Sequence, residues 1–108
     1  MKPKLGISEI LTDKKDLILK IASKHGAYGV RIFGSVAWGE ATEDSDIDFL
    51  VDYDLKKISP WFPVGLIHDL EELLQRKVDV VPANSIHPFI RDRIFQEAVE
   101  IWFRDFQI

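Results

Sequence analysis

Apolar residues recur at helical spacing in three segments of the chain. The first predicted helix covers residues 12–24, with Thr12 as its N-cap and His25-Gly26 as its stop. A second helix is predicted over residues 64–75 and a third over residues 88–98, where Pro88 suits the first turn. The positions expected to face the core are Leu17, Ile18, Ile21 and Ala22 in the first helix, Leu66, Ile67, Leu70, Leu73 and Leu74 in the second, and Phe89, Ile90, Ile94 and Phe95 in the third.

Four shorter segments are rich in β-branched and aromatic residues, which is typical of strands. They cover residues 28–33, 47–51, 77–81 and 99–103. In the second segment, apolar and acidic residues alternate until Leu50, so both faces of this strand are expected to be partly buried. The order of elements predicts the α/β class: a small mixed β-sheet with helices packed on it.

Length and composition indicate one globular domain, expected to cover residues 1–108. The chain is 46% hydrophobic and 30% charged, and it has no cysteine, which excludes disulfides and thiolate chemistry. No segment is apolar enough for a membrane span or a secretory signal, so no membrane association and a cytoplasmic location are expected.

Charge is distributed unevenly along this chain of net charge −4. Residues 32–54 contain seven acidic residues and no basic one. Such a segment is either a solvated acidic loop or a place where a cation binds. Because the chain has no basic stripe, direct binding of duplex nucleic acid is not expected.

Two of these acids, Asp46 and Asp48, are spaced as on one face of a strand. Close carboxylates disfavour each other's ionised form unless a hard cation offsets them, and Mg²⁺ is such a cation. The alternative is that both side chains simply extend into water at the end of the strand. The preceding strand ends in Gly34-Ser35, where a glycine lets the backbone approach a phosphate and nearby N–H and hydroxyl groups can donate to it. A Gly-Ser pair after a strand is also an ordinary turn.

A third acid, Asp79, lies in a predicted strand that is otherwise made of valines. A buried carboxylate needs a partner or a metal. One alternative is a salt bridge to Arg31 or Lys77. If this strand lies beside the strand at 47–51, Asp79 completes a three-carboxylate cluster that can hold two divalent ions and accept a proton from an attacking hydroxyl.

The segment GSVAWGEATEDSDID, residues 34–48, resembles the signature of the minimal nucleotidyltransferases of the DNA polymerase β superfamily: Gly-Ser, ten residues, then Asp-x-Asp. The run KVDVV resembles the family's third-carboxylate strand, and IFQEAV resembles its closing segment. The resemblance implies a nucleotidyltransferase, polymerase β-like fold that transfers a nucleoside monophosphate from a triphosphate with Mg²⁺.

The same resemblance implies roles for individual residues. Gly34, Ser35 and Ser45 are expected to bind ATP. Asp46 and Asp48 are expected to be catalytic ligands of both metal ions, and Asp79 a ligand of the catalytic ion. Many relatives have arginine where this chain has Trp38. This tryptophan is expected to pack against the protein, and stacking on a base is the alternative.

Stand-alone members of this size are similar to antitoxins that are encoded beside HEPN-domain toxins. These toxins are RNases, and such antitoxins silence them by attaching AMP to a tyrosine. A HEPN-type toxin is therefore the expected partner and AMP transfer the expected activity. The alternative is a catalytically weak or inactive binding module that neutralises a toxin by stoichiometric contact. A chain of this length is not expected to hold an acceptor domain, so we expect the acceptor to bring its own surface or a second copy of the chain to help.

Several other residues are expected to have no chemical role. The three histidines His25, His68 and His87 are far apart and lack metal-type spacing. Asp52 and Asp54 fall at the far end of their strand and are expected to be solvated, with a second metal site as the alternative. Three aromatic residues are expected to pack in the core, with an exposed partner-binding patch as the alternative: Trp61, Phe62 and Trp102.

Overall fold

A computed structural model of the chain describes residues 4–102. Four α-helices and four strands follow one another along this part of the chain, with a short 3₁₀ turn before the last helix. The helices are α1 (Ile7–Leu11), α2 (Lys15–Lys24), α3 (Val64–Leu74) and α4 (Pro88–Glu97), the strands are β1 (Ala27–Phe33), β2 (Ile47–Tyr53), β3 (Val78–Pro82) and β4 (Val99–Glu100), and the 3₁₀ turn is Ala83–Ser85.

The strands form a single mixed sheet in the order β3-β2-β1-β4. β1 runs antiparallel to both β2 and β4, and β2 runs parallel to β3. A parallel pair needs a long crossover, and α3 provides it between β2 and β3. The predicted class, a small mixed sheet with helices packed on it, is confirmed.

The two faces of the sheet are covered by different elements. On one face, Ile47, Phe49 and Val51 of β2 belong to a large apolar core that also contains buried residues of α2 and α3. On the other face, Leu50 packs in a smaller cluster with residues of the 3₁₀ turn and of α4. Alternation along β2 therefore buries both of its faces, as predicted, and leaves its aspartates on the less covered face.

The predicted first residue of the N-terminal helix is wrong. Thr12 does not cap α2; it ends the short helix α1 with φ of +48°. α2 begins at Lys15, three residues later than predicted, and ends before Gly26, whose φ of +81° suits the predicted glycine stop. Of the predicted stripe, Ile18 and Ala22 are buried, whereas Leu17 is exposed. The five-residue α1 is too short to produce a readable apolar period.

The C-terminal predictions are partly wrong as well. Phe89 is 91% exposed and Ile90 is also exposed, although the spacing placed both on a buried face. Ile94 and Phe95 do pack against the core. The final strand is shorter than expected, and Phe103 lies outside the described residues. Across residues 4–102, no helix has the length and apolar character to cross a membrane.

Candidate functional site

The sheet brings the three predicted carboxylates together at one end. Asp48 is the register partner of Asp79 on the parallel strand β3 and of Phe33 on the antiparallel strand β1. Asp46 lies just before the first residue of β2. Asp48 therefore occupies the middle of the site, with Asp79 beside it and Asp46 on the same side of the chain.

The negative charges of Asp79 and Asp46 both act on the side chain of Asp48. The pKa of Asp48 is raised above its ordinary value by burial first, then by the negative charge of Asp79 and of Asp46. All three causes disfavour the ionised side chain. A divalent cation would reverse this effect, and three carboxylates form the oxygen-rich donor set that Mg²⁺ prefers. By residue type the three carboxylates therefore fit Mg²⁺, but among residues 4–102 the side chains whose ligand atoms are grouped within 4.8 Å lie on α3 and do not include these three.

Asp79 is exposed, so the argument that it is a buried carboxylate is wrong. Its neighbours Val78 and Val80 are buried on the other face, which explains the core-like appearance of the segment. Arg31, one of the two salt-bridge partners considered for Asp79, contacts Asp52 instead. Its Nη1 atom lies 3.3 Å from Asp52 Oδ2. Asp52 is consequently half-buried and paired, not solvated as predicted.

The backbone of Gly34 lies against the side chain of Asp48. Its φ is +76°, and a Cβ at this position would lie 2.5 Å from Asp48 Oδ2. A side chain at this position would therefore displace the central carboxylate, and glycine leaves it accessible.

The turn after β1 has the polarity that an anion requires. The carbonyl oxygens of Gly34, Ser35 and Val36 accept hydrogen bonds from Trp38, Glu40 and Gly39. Because N–H and C=O of one peptide point in opposite directions, the N–H groups that follow these carbonyls point away from the turn. N–H groups that point outward in this way are free to donate to the oxygens of a phosphate.

The loop between this turn and β2 is held by its own hydroxyls and by a distant arginine. Ser45 Oγ accepts a hydrogen bond from Thr42 N at 2.9 Å and lies 3.3 Å from Thr42 Oγ1. Ser45 thus has a role within the loop, and its contact with nucleotide stays a prediction. Arg76 Nη1 donates to the carbonyl oxygens of Thr42 and Glu43. The sequence does not indicate Arg76 as a functional residue, because a single arginine after a helix forms no pattern.

The exposed tryptophans differ from the prediction. Trp38, in the turn beside Ser35, is 60% exposed, so the expectation that it packs against the protein is wrong. Trp61 and Trp102 are exposed too, whereas Phe62 is half-buried and its ring lies 5.2 Å from that of Tyr53. Trp61 and Trp102 are therefore not packed in the core, and the alternative of a partner-binding patch stays a prediction.

A second group of titratable residues lies on α3, and it includes none of the predicted carboxylates. Side-chain ligand atoms of His68, Asp69 and Glu72 lie within 4.8 Å of one another. Asp69 Oδ2 is also 2.6 Å from His25 Nε2. The expectation that the histidines are far apart is thus wrong for His25 and His68, which share Asp69 as a neighbour.

Comparison with known families agrees with this geometry. A nucleotidyltransferase domain model matches residues 14–101. The chain belongs to this family. The matched range contains the Gly-Ser turn and all three carboxylates, and it confirms the resemblance to minimal nucleotidyltransferases and the expectation that the chain is a nucleotidyltransferase enzyme.

Individual relatives match over nearly their whole length. A protein of Methanocaldococcus jannaschii, named provisionally as a protein adenylyltransferase, is 45% identical over 97 residues, which is 90% of this chain and 99% of the relative. The protein adenylyltransferase MntA of Thermococcus cleftensis is 35% identical over 95 residues, which is 88% of this chain and 92% of MntA.

Solved structures have the same fold. One, described provisionally as a minimal nucleotidyltransferase, superimposes with a TM-score of 0.74 at 38% identity and covers 82% of this chain and 90% of its own. A toxin–antitoxin structure with AMP-PNP superimposes with a TM-score of 0.69 at 20% identity, covering 85% of this chain and 76% of its own. At that identity the second match shows the fold alone.

Proposed function

We propose that this nucleotidyltransferase transfers AMP from ATP to a partner protein in a Mg²⁺-dependent reaction, and that the partner is a HEPN-type toxin. The observation that carries the proposal is the register of Asp48 with Asp79, with Asp46 at the start of the same strand. The names of the relatives, which are protein adenylyltransferases, support AMP as the transferred group. One structural neighbour is a toxin–antitoxin complex, which supports a toxin as the partner.

Each predicted site residue has a task in this reaction. Asp46 and Asp48 would hold both Mg²⁺ ions, and Asp79 would hold the catalytic one. When bound, the ions neutralise charge on the triphosphate and on the attacking and leaving oxygens. Ser35 and the N–H groups of its turn would bind the phosphates, and Ser45 would support the nucleotide from the adjacent loop.

The transfer step is a displacement at the α-phosphorus of ATP. A hydroxyl oxygen of the acceptor forms a bond to this phosphorus while the bond to the bridging oxygen of the β-phosphate breaks, and pyrophosphate leaves. The proton of the hydroxyl passes to a carboxylate of the site. Asp79 is the candidate base, because it is exposed beside Asp48 and is therefore within reach of a substrate.

A second candidate function is neutralisation by binding alone. The exposed Trp38, next to the proposed phosphate-binding turn, favours it, because this position then contacts a partner as readily as a nucleotide. In that case a complex with the toxin forms without ATP or Mg²⁺, and toxin activity falls in proportion to the complex.

Intact-mass spectrometry of the protein product of the neighbouring gene distinguishes the two functions. After incubation with this chain, ATP and Mg²⁺, we expect a mass gain of one or more AMP units. The Asp46→Asn/Asp48→Asn double variant should produce none. Asp54→Asn is the matched control, because Asp54 lies beyond the opposite end of β2 and an asparagine can still accept from Lys56 N.

The outcomes separate the proposals. Transfer by the double variant would remove the metal-site assignment. No mass gain together with a stable, protective complex would favour neutralisation by binding.

A further inference from the structure

Arg76 connects the two segments that carry the site's carboxylates. It lies in the short connection between α3 and β3, three residues before Asp79. Its Nη1 atom donates to the carbonyl oxygen of Thr42 at 3.0 Å and to that of Glu43 at 3.1 Å. Both acceptors belong to the loop that leads into Asp46. A single side chain thus bridges parts of the chain that are 33 and 34 residues apart.

The residues next to Arg76 are fixed as well. The carbonyl oxygen of Lys77 accepts from Ile47 N at 3.0 Å, which begins the pairing of β2 with β3. Val78 N donates to Glu71 Oε2 of α3, also at 3.0 Å. The connection before Asp79 is therefore attached on one side to α3 and on the other to β2.

These contacts surround Asp46 on both sides. Arg76 holds residues 42 and 43 before it, and Lys77 holds Ile47 after it. Asp46 itself is exposed and precedes the regular strand, so no ladder hydrogen bond of β2 fixes the loop that leads into it. The loop's internal bonds between Thr42 and Ser45 shape it but do not attach it to β3.

We propose that Arg76 is a positioning residue that sets the distance of Asp46 from Asp79. The inference rests on the proposed metal-dependent function, in which both aspartates are ligands of one ion. Arginine suits this task because its planar guanidinium presents fixed N–H donors at the end of a long side chain. Lysine keeps the charge but ends earlier and lacks the planar donor group.

The test uses Arg76→Gln and Arg76→Lys in the full chain, with Arg93→Gln as the matched control. Arg93 is an exposed arginine of α4 whose contact is Glu97, on the same helix. Two quantities are measured below the unfolding transition: the affinity for Mn²⁺ by electron paramagnetic resonance, and the hydrogen exchange of amides 42–47. In both Arg76 variants we expect Mn²⁺ affinity to fall about 10-fold or more and loop exchange to accelerate. The control should match the unmodified chain in both.

Three results would overturn the inference. The first is unchanged Mn²⁺ affinity in both Arg76 variants. The second is full affinity in Arg76→Lys with the loop still exchanging rapidly, which would assign the effect to charge alone. The third is unchanged loop exchange in Arg76→Gln. This third readout needs no metal, so it decides the role of Arg76 even if the unmodified chain fails to bind Mn²⁺, a failure that would count against the proposed function itself.

Discussion

Two aspartates, Asp48 in the sheet and Asp69 on α3, have opposite surroundings. The pKa of Asp48 is raised by burial and by the charges of Asp79 and Asp46. The pKa of Asp69 is lowered, chiefly by the hydrogen bond with His25 and further by the charges of His25, Lys24 and His68. One carboxylate is thus placed among like charges, and the other among groups that stabilise its ionised form.

The difference separates a site from a structural contact. The His25–Asp69 pair joins the end of α2 to α3 within the chain, so its benefit is realised on folding. The group around Asp48 gains nothing comparable from the chain itself, because its near charges are repulsive. Arrangements that cost stability concentrate at functional sites, where a ligand supplies the missing interaction.

Gly34→Ala should have the largest effect of the variants that test this difference, and the effect should be on the rate of AMP transfer. The added Cβ would lie 2.5 Å from Asp48 Oδ2, so the central carboxylate must move. Displacing a reacting group by about 1 Å can cost about 100-fold in rate, and we expect a loss of that order in AMP transfer. Rates of transfer to the partner, followed by intact mass, measure it.

Gly39→Ala is the matched control for this prediction. Gly39 also has a positive φ, +73°, but a Cβ there meets no atom within 4 Å. We therefore expect Gly39→Ala and Gly34→Ala each to lose about 1–2 kcal/mol of stability to backbone strain. The rate of AMP transfer should fall much less in Gly39→Ala than in Gly34→Ala. Equal losses of transfer in the two variants would show that strain, not Asp48, is responsible.

His25→Ala should have the next largest effect, on stability. His25 is half-buried and 2.6 Å from Asp69, and hydrogen bonds to charged groups contribute about 1.5–3 kcal/mol. Because Asp69 is partly open to solvent, we expect the free energy of unfolding to fall by about 1–2 kcal/mol. Urea denaturation at neutral pH measures this change.

The matched variant is His68→Ala. His68 Nδ1 lies 3.9 Å from Asp69 Oδ1, and its side chain is 78% exposed. An exposed pair at this distance should change the free energy of unfolding by about 0.5 kcal/mol or less. If both histidine variants lost the same stability, the short His25–Asp69 contact would not be the cause.

The centre of the site could be predicted because Asp46 and Asp48 form a local motif, and because the segment around Asp79 resembles the family's third-carboxylate strand. The Asp-x-Asp spacing places two carboxylates on one side of a strand, and the valines around Asp79 indicate a further strand, whose place beside the first is a condition of the prediction. The structure confirms this neighbourhood in the register of Asp48 with Asp79. Asp79 is nevertheless exposed, since period-two alternation separates it from the buried valines beside it.

The remaining contacts could not be predicted because they are nonlocal. The bonds of Arg76 reach across more than 30 residues, and those of His25 to Asp69 across 44. No periodicity links such positions, so tertiary packing alone determines them. Phe89 shows the same limit for the fold: helical spacing identifies an apolar stripe on α4 but not whether another element covers it.

The pH dependence of stability should show the smallest effect, and its sign differs between the two aspartates. Because the pKa of Asp48 is raised, its carboxylate binds a proton more readily in the folded chain than in the unfolded chain. Without divalent cations, Asp48 therefore destabilises the chain at neutral pH, and this penalty shrinks as pH falls through the raised pKa towards the ordinary value of 3.8. The lowered pKa of Asp69 has the reverse consequence: its stabilisation is present above 3.8 and is lost as pH falls through the lowered value.

Two isosteric variants measure these contributions. In metal-free buffer at neutral pH, Asp48→Asn should be more stable than the unmodified chain, and the two should converge as pH falls to about 3.8. Asp69→Asn should be less stable, with a difference that persists to 3.8 and narrows only below it. Urea denaturation at a series of pH values gives both differences. Parallel curves for the two variants would mean that the carboxylates do not differ as described. Added Mg²⁺ should favour the unmodified chain over Asp48→Asn and leave the Asp69→Asn difference unchanged, because only the first aspartate is placed among charges that a cation relieves.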